Sequence, residues 1–363
     1  MSLKRTSSRL EYLDWVRGVA AIIMLQGHVF HALIRPDLRS SSAYVLSQFV
    51  GGMPPAIFLF LTGVTLAFLM HSKERQGLTG PQRAWAAFRR AGFLFSTAFL
   101  FRLQLWAFGL PSSPWTDLLK VDILNCMGLG IILLSPLAMF PAAERVRWAG
   151  MTGLAIAAAS PLVTQWGGWA AVPAPLAAYF KPDYNFFSFF PWASFMAFGV
   201  AAGSLLRILK TEHIDRAMQW TALLGVGVIV SAYYFSNLPY SLYPKSDFWL
   251  DSPALALIKL GVILLMVPFA FVWTTYAARP GWSWVRQFGT TSLLVYWVHI
   301  ELVYGRWLGF WKEGLDVAQT AVAAVGMILL MLAISVAKTH KDHWTNWLPN
   351  WRWSPAPARV SGD

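Results

Sequence analysis

Long apolar runs alternate along this chain with short clusters of Lys, Arg, Pro and Gly. The runs 93–101 and 321–337 carry no charge, and 16–28 is broken only by Arg17 before it reaches His28. Windows of about 20 residues, the length that crosses a bilayer as a helix, give ten candidate spans. They begin near Leu13, Val50, Trp85, Lys120, Arg147, Phe186, Ala217, Pro253, Trp284 and Val317. A membrane β-barrel requires strict apolar–polar alternation, and that pattern is absent. The sequence predicts an all-α fold, a polytopic transmembrane helix bundle of about ten spans. Residues 1–353 are expected to form a single domain, and 354–363, with Pro355 and Pro357, a disordered tail.

Composition makes the bilayer necessary rather than merely permitted. The chain is 56% hydrophobic and only 13% charged, with a mean hydropathy of +0.49, more apolar surface than one soluble core can hide. The short basic N-terminus runs into a full-length span with no small-residue cleavage site, so it is expected to be retained. Trp166, Trp169, Tyr179 and Tyr184, and again Trp344, Trp347, Trp351 and Trp353, fit interfacial anchors. The segments about Trp166 to Asn185 and Asn237 to Ser252 fit re-entrant or surface hairpins. Cys126 is the only cysteine, which excludes an internal disulfide and a cysteine metal cluster; no metal site is expected.

The net charge of +12 is spread in small clusters between spans, so it reads as a topology signal and not as a nucleic-acid surface. Sorting Lys and Arg into alternate loops puts nineteen on one side, including Lys4, Arg5, Arg9, Lys73, Arg75, Arg83, Arg145, Arg147, Arg207, Arg279, Arg286, Lys341, Arg352 and Arg359. The other side holds seven: Arg35, Arg39, Lys120, Lys181, Lys245, Arg306 and Lys312. Cytoplasmic loops carry the excess. The expectation is an inner-membrane protein with both termini cytoplasmic.

Ionisable groups inside spans are expensive and so are functional candidates. The first span holds Asp14, Arg17 and His28. Eleven residues at 100° each return to within about 20° of one helix face over roughly 16 Å of rise, so Arg17 and His28 look into one cavity at two depths. Asp14 stands three residues before Arg17, a spacing that lets it steer the guanidinium. His28 lies fifteen residues beyond Leu13 and His299 fifteen beyond Trp284, so the two share a depth. Arg102 lies at a comparable depth and Asp122 opens the fourth span, a carboxylate expected to pair with His28 or Arg102. His31 and Glu301 lie slightly farther out. Glu301 and His299 are two residues apart and face different sides, so one of them at most joins the main site.

These residues also carry a resemblance. Leu13-Asp14-Trp15-Val16-Arg17-Gly18 followed by Gly27-His28 resembles the first-helix signature of integral membrane acyltransferases. Val121-Asp122-Ile123-Leu124-Asn125, then Phe190-Pro191-Trp192-Ala193-Ser194-Phe195 leading to Gly199 and Gly203, and the run from Gly289 to His299 resemble bacterial relatives of heparan-α-glucosaminide N-acetyltransferase. The chain has Asn125-Cys126 where that family often has Gln-Arg. The resemblance implies transfer of an acyl group, acetyl by preference, from cytosolic acyl-CoA to an amine or hydroxyl of an exterior glycan or glycolipid acceptor. It assigns the catalytic histidine to His28. Imidazole chemistry near neutral pH suits a base or nucleophile, with Asp122 beside it. Asp14 and Arg17 suit donor binding, since a guanidinium grips phosphate. His31, Arg102, His299 and Glu301 suit the acceptor side or support.

Each residue also has a plainer reading: Arg17 snorkels to the headgroups, Arg102 and Asp122 form a structural ion pair, His28 is a satisfied buried histidine. The competing function is a secondary transporter or flippase for a lipid-linked or acyl-bearing substrate, whose mark would be repeat symmetry; none is seen. Membrane lipid is an expected partner, and a homo-oligomer stays open.

Overall fold

A computed structural model describes residues 10–278 and 281–340. The expected tail 354–363, the tryptophans Trp344, Trp347, Trp351 and Trp353, and the cations Lys4, Arg5, Arg9, Arg279, Lys341, Arg352 and Arg359 lie outside the described residues.

The described residues are mostly helical. In order the helices are α1 Glu11–Leu33, α2 Ser42–Gly51, α3 Pro54–Arg75, α4 Gly80–Phe108, α5 Ile123–Leu134, α6 Ala142–Gln165, α7 Ala174–Phe180, α8 Phe189–Ile208, α9 Ile214–Ser236, α10 Pro253–Val272, α11 Trp284–Thr290, α12 Ser292–Tyr304 and α13 Val317–Thr339. Among the described residues nine helical segments are long and apolar enough to cross a membrane. Their outward faces are apolar as well: Leu223 on α9 is 61% exposed and Val322 on α13 is 72% exposed. Such a surface is stable only against lipid. The protein is a multi-pass α-helical membrane protein.

Starts and breaks follow from local chemistry. Asp122 caps α5 and Asp316 caps α13, each in a box closed by the residue three positions on, Asn125 or Gln319. Pro54 and Pro55 open α3, where a missing N–H costs nothing. The span expected from Trp284 is not one helix. It breaks at Thr291 (φ −118°, ψ 18°) into α11 and α12. Polar side chains hold the break: Gln287 Nε2 donates to the Ser335 carbonyl at 2.9 Å and Thr339 Oγ1 at 3.1 Å, and Thr291 Oγ1 donates to the Gln287 carbonyl at 3.0 Å. In a bilayer a broken helix survives only where neighbouring groups satisfy the freed backbone.

Contacts between helix ends and between loops define two ends. At one, Arg145 meets Glu74 and Arg286 meets Glu11. At the other, the segment after α1 pairs with that before α13, through Arg35 N to Leu315 O at 2.9 Å and Arg39 to Glu313 at 2.8 Å. There too Tyr184 donates to Asp247 at 2.8 Å, which joins the two long segments expected as hairpins, and Tyr243 donates to the Ala158 carbonyl of α6 at 2.8 Å. We call these the arginine-rich end and the opposite end. The alternation of loop cations was read with Arg83, Arg89 and Arg90 outside the third span and Arg145 outside the fifth. The helices start earlier, so Arg83 and Arg145 sit in the first turns of α4 and α6 and Arg89 and Arg90 two turns farther into α4. Arg145 is fully buried, donating to Glu74 at 3.0 Å and the Phe140 carbonyl at 2.7 Å.

Two apolar clusters share α1. One joins the first half of α1 to α3, α4, α5, α6, α8 and α10; the other joins Ala21, Leu25, Val29 and Leu33 to α11, α12 and α13. Helices approach closely where glycines allow it. A Cβ at Gly199 of α8 would fall on the Phe60 carbonyl of α3, and one at Gly289 of α11 would fall on the Asp14 carbonyl of α1.

Candidate active site

His28 reaches its partner because α11 and α12 run beside α1 over most of its length. Val285 and Gly289 lie against Gly18 and Asp14, and Tyr304 lies against His31. Between them His28 Nδ1 lies 2.8 Å from His299 Nε2, with the ring planes 14° apart. His299 Nδ1 lies 2.7 Å from the Val295 carbonyl.

This chain of contacts fixes the tautomers of the neutral pair. A carbonyl only accepts, so His299 Nδ1 carries the hydrogen and its Nε2 is a lone pair. That lone pair accepts from His28 Nδ1–H. The remaining nitrogen, His28 Nε2, is therefore a bare lone pair, on a ring that is half-buried while His299 is fully buried. An imidazole held in this state is ready to take a proton or attack a carbonyl.

Two tyrosines complete the surroundings. The ring of Tyr304 stands edge-on to His28 at 5.5 Å, and its hydroxyl lies 3.2 Å from His31 Nδ1. Tyr296 packs 6.0 Å from His299 and 5.5 Å from Phe101 of α4. Tyr304 also borders a cavity of about 530 Å³ at the opposite end, lined by Arg102, Lys120, Arg306, Lys312 and Asp117 among others. Asp117 offsets Lys120 at 2.8 Å and Asp122 offsets Arg102, so Arg306 and Lys312 leave the cavity net basic.

The other sequence-derived candidates fall into place around this centre. Arg102 Nε lies 3.3 Å from Asp122 Oδ2. Asp122 Oδ1 accepts from the backbone of Leu124 at 3.0 Å and Asn125 at 3.2 Å. Asp122 is thus brought to Arg102 and the start of α5 rather than to His28. Arg17 Nη1 donates to Asp14 at 2.9 Å and to the Gly289 carbonyl at 3.5 Å, tying the arginine-rich end of α1 to α11. His31 sits at the mouth, with Arg39 on its carbonyl at 3.4 Å. Glu301 turns the other way and accepts from Trp307 Nε1 at 3.2 Å, so of the two residues it is His299 that meets His28. Tyr304 and Tyr296 were not singled out by sequence. The signal for Tyr304 was its place one turn beyond Glu301 at the far end of the span, where an aromatic reads first as an interfacial anchor.

No curated protein matches the chain. A family model does: that of the heparan-alpha-glucosaminide N-acetyltransferase catalytic domain, over residues 9–237. The match takes in Asp14, Arg17, His28, His31, Arg102 and Asp122, and covers more than half of the sequence. The chain therefore belongs to the heparan-alpha-glucosaminide N-acetyltransferase catalytic-domain family and is a membrane acyltransferase.

Proposed function

We propose that the protein moves an acetyl group from cytosolic acetyl-CoA to an amine or hydroxyl of an exterior glycan or related acceptor. The observation that carries this reading is the His28–His299 pair, held inside the bundle with a bare Nε2 and bordered by Tyr304 of the basic cavity. The excess of Lys and Arg in the loops of the arginine-rich end favours that end as cytoplasmic, in an inner membrane with both termini inside. Asp14 and Arg17 then meet the donor, about 16 Å along α1 from His28. The cavity at the opposite end takes the acceptor. Its cations suit a sugar bearing acidic groups, and Arg102 stays oriented for it by Asp122.

In the transfer, His28 Nε2 accepts the proton of the acceptor N–H or O–H as the heteroatom attacks the thioester carbonyl. The C–S bond breaks, and the proton on Nε2 passes to the departing thiolate. His299 keeps Nε2 available and disperses the imidazolium charge through its own hydrogen bond to Val295.

The test is incubation of the purified protein with radiolabelled acetyl-CoA and glucosamine 6-sulfate or glucuronic acid as acceptor probes. The native chain is expected to label an acceptor, base-stable for an amide and base-labile for an ester. His28→Ala is expected to lose transfer while keeping its thermal stability. Label retained on the protein without acceptor identifies an acyl-histidine route. Near-native turnover in folded His28→Ala overturns the assignment.

A further inference from the structure

At the arginine-rich end α3 and α8 part just beyond their glycine crossing. The two helices run side by side in the same direction, with Gly199 against Phe60 and Gly203 against Val64. One turn later they enclose a cavity of about 370 Å³, lined by Phe68, His71, Ser72 and Arg75 of α3, by Gln76 just after it and by Arg207 of α8. None of these residues belongs to the histidine pair or to the cavity beside Tyr304.

Cations near helix C-termini are ordinarily explained by the terminal carbonyls and the helix dipole. Three features here go further. The guanidinium carbon of Arg207 lies 3.9 Å from the centre of the Phe68 ring, a cation–π contact that holds the group beside the cleft and leaves its N–H groups for another partner. Arg75 and Arg207 have no ion pair among the described residues, because the neighbouring carboxylate, Glu74, is held by Arg145 at 3.0 Å and Arg83 at 3.5 Å. The Nδ1 of His71 is buried without a hydrogen-bond partner. A buried polar atom in that state costs free energy until something binds it.

We infer that this cleft is a subsite for a phosphate ester. Two guanidinium groups, an imidazole, a hydroxyl and an amide present donors from several directions with no uncommitted carboxylate among them, which matches the several oxygens of a phosphate better than a single carboxylate. Two sources offer that group at this end: the nucleotide part of the acyl-CoA donor, which rests on the function proposed above, and the headgroup of an anionic phospholipid. His71 lies seventeen residues along α3 from Pro54, about 25 Å of helix. A donor anchored here thus places its phosphates and its acyl carbon at opposite ends of the bundle.

The test uses the full chain in detergent, comparing native protein with Arg207→Lys, the double variant Arg75→Gln/Arg207→Gln, and Arg89→Gln as an exposed-charge control. Binding of coenzyme A and of its 3′-dephospho form is measured by calorimetry. In a second arm, the rise in melting temperature with phosphatidylglycerol is compared with that from phosphatidylcholine. The double variant is expected to lose at least tenfold in affinity for coenzyme A, or to lose the phosphatidylglycerol-specific rise, with Arg207→Lys intermediate and Arg89→Gln native-like. The arm that responds names the source. Native behaviour of the double variant in both arms, or an equal loss in Arg89→Gln, overturns the subsite. Failure of the native chain to bind coenzyme A at all refutes the donor reading instead, and the lipid arm then decides the subsite alone.

Discussion

Replacing His299 separates the role of the second histidine from that of the first. In His299→Ala the Nδ1–H of His28 loses its acceptor inside the bundle. A buried donor left unpaired costs about 1–3 kcal/mol, and His28 can escape that cost by moving its hydrogen to Nε2, the nitrogen that must be bare for transfer. With about 1.4 kcal/mol per factor of ten, the working tautomer falls in population by roughly 5-fold to 150-fold, and kcat falls with it. The Michaelis constant for acetyl-CoA is expected to stay near native, because His299 is fully buried and acts through His28. His299→Gln places an amide oxygen close to the position of Nε2 and can accept the same hydrogen, so it is expected to recover most of the loss. His28→Ala removes the base itself, worth about 10²–10⁴-fold for general acid–base catalysis alone. The assay is thiol release from acetyl-CoA in the presence of acceptor, with thermal unfolding of each variant as the check on folding. The expected order is native, His299→Gln, His299→Ala, His28→Ala. A native rate in His299→Ala, or equal and complete loss in both His299 variants, would refute the tautomer argument.

Three further outcomes follow from the architecture. With Cys126 replaced by Ser, cysteines introduced at Gly77 and Lys210 should resist a membrane-impermeant maleimide in intact cells while those at Lys181 and Lys312 react; the reverse pattern inverts the orientation. Gly289→Ala should destabilise by about 1–3 kcal/mol, the usual cost of overpacking, seen as a lower melting temperature, whereas Gly92→Ala, with open space around it, should change little. Asp122→Asn or Arg102→Gln alone should cost stability, up to about 3–5 kcal/mol for a buried pair and less here because Arg102 is 21% exposed; the double variant should recover part of it, and strict additivity in the melting data would count against direct coupling.

The elements were largely legible in the sequence. Three helices start where expected, at Pro253, Trp284 and Val317. The shared depth of His28 and His299 followed from counting residues; that Asp122 needs a partner did too, but the count left His28 and Arg102 both open, and the structure gives Arg102. Rotation about the helix axes was harder to read. In a bilayer both the lipid face and the protein face of a helix are apolar, so the pattern that orients a soluble helix is weak. Spacing said that His299 and Glu301 diverge without saying which one turns inward. The break at Thr291 was hidden for a related reason: its stabilising groups, Ser335 and Thr339, come from α13, more than forty residues away. Arg145 was counted as a topology charge, yet it is locked inside the bundle by Glu74, a long-range contact that loop counting cannot register.

The two halves of the histidine pair come from opposite ends of the chain, His28 from α1 and His299 from α12. During synthesis the first histidine enters the membrane early and waits, with no acceptor for its Nδ1–H, while the helices between them are inserted. Only the arrival of α12 completes the pair, and the pairing of Arg35 with Leu315 closes α1 against the segment that follows it. Reactivity is thereby tied to completion of the polypeptide. A chain truncated by a stop codon after α10 carries His28 and the family's other matched residues, yet lacks the group that readies the imidazole. Such a product is expected to reach the membrane as a passive protein rather than as an uncontrolled consumer of acetyl-CoA.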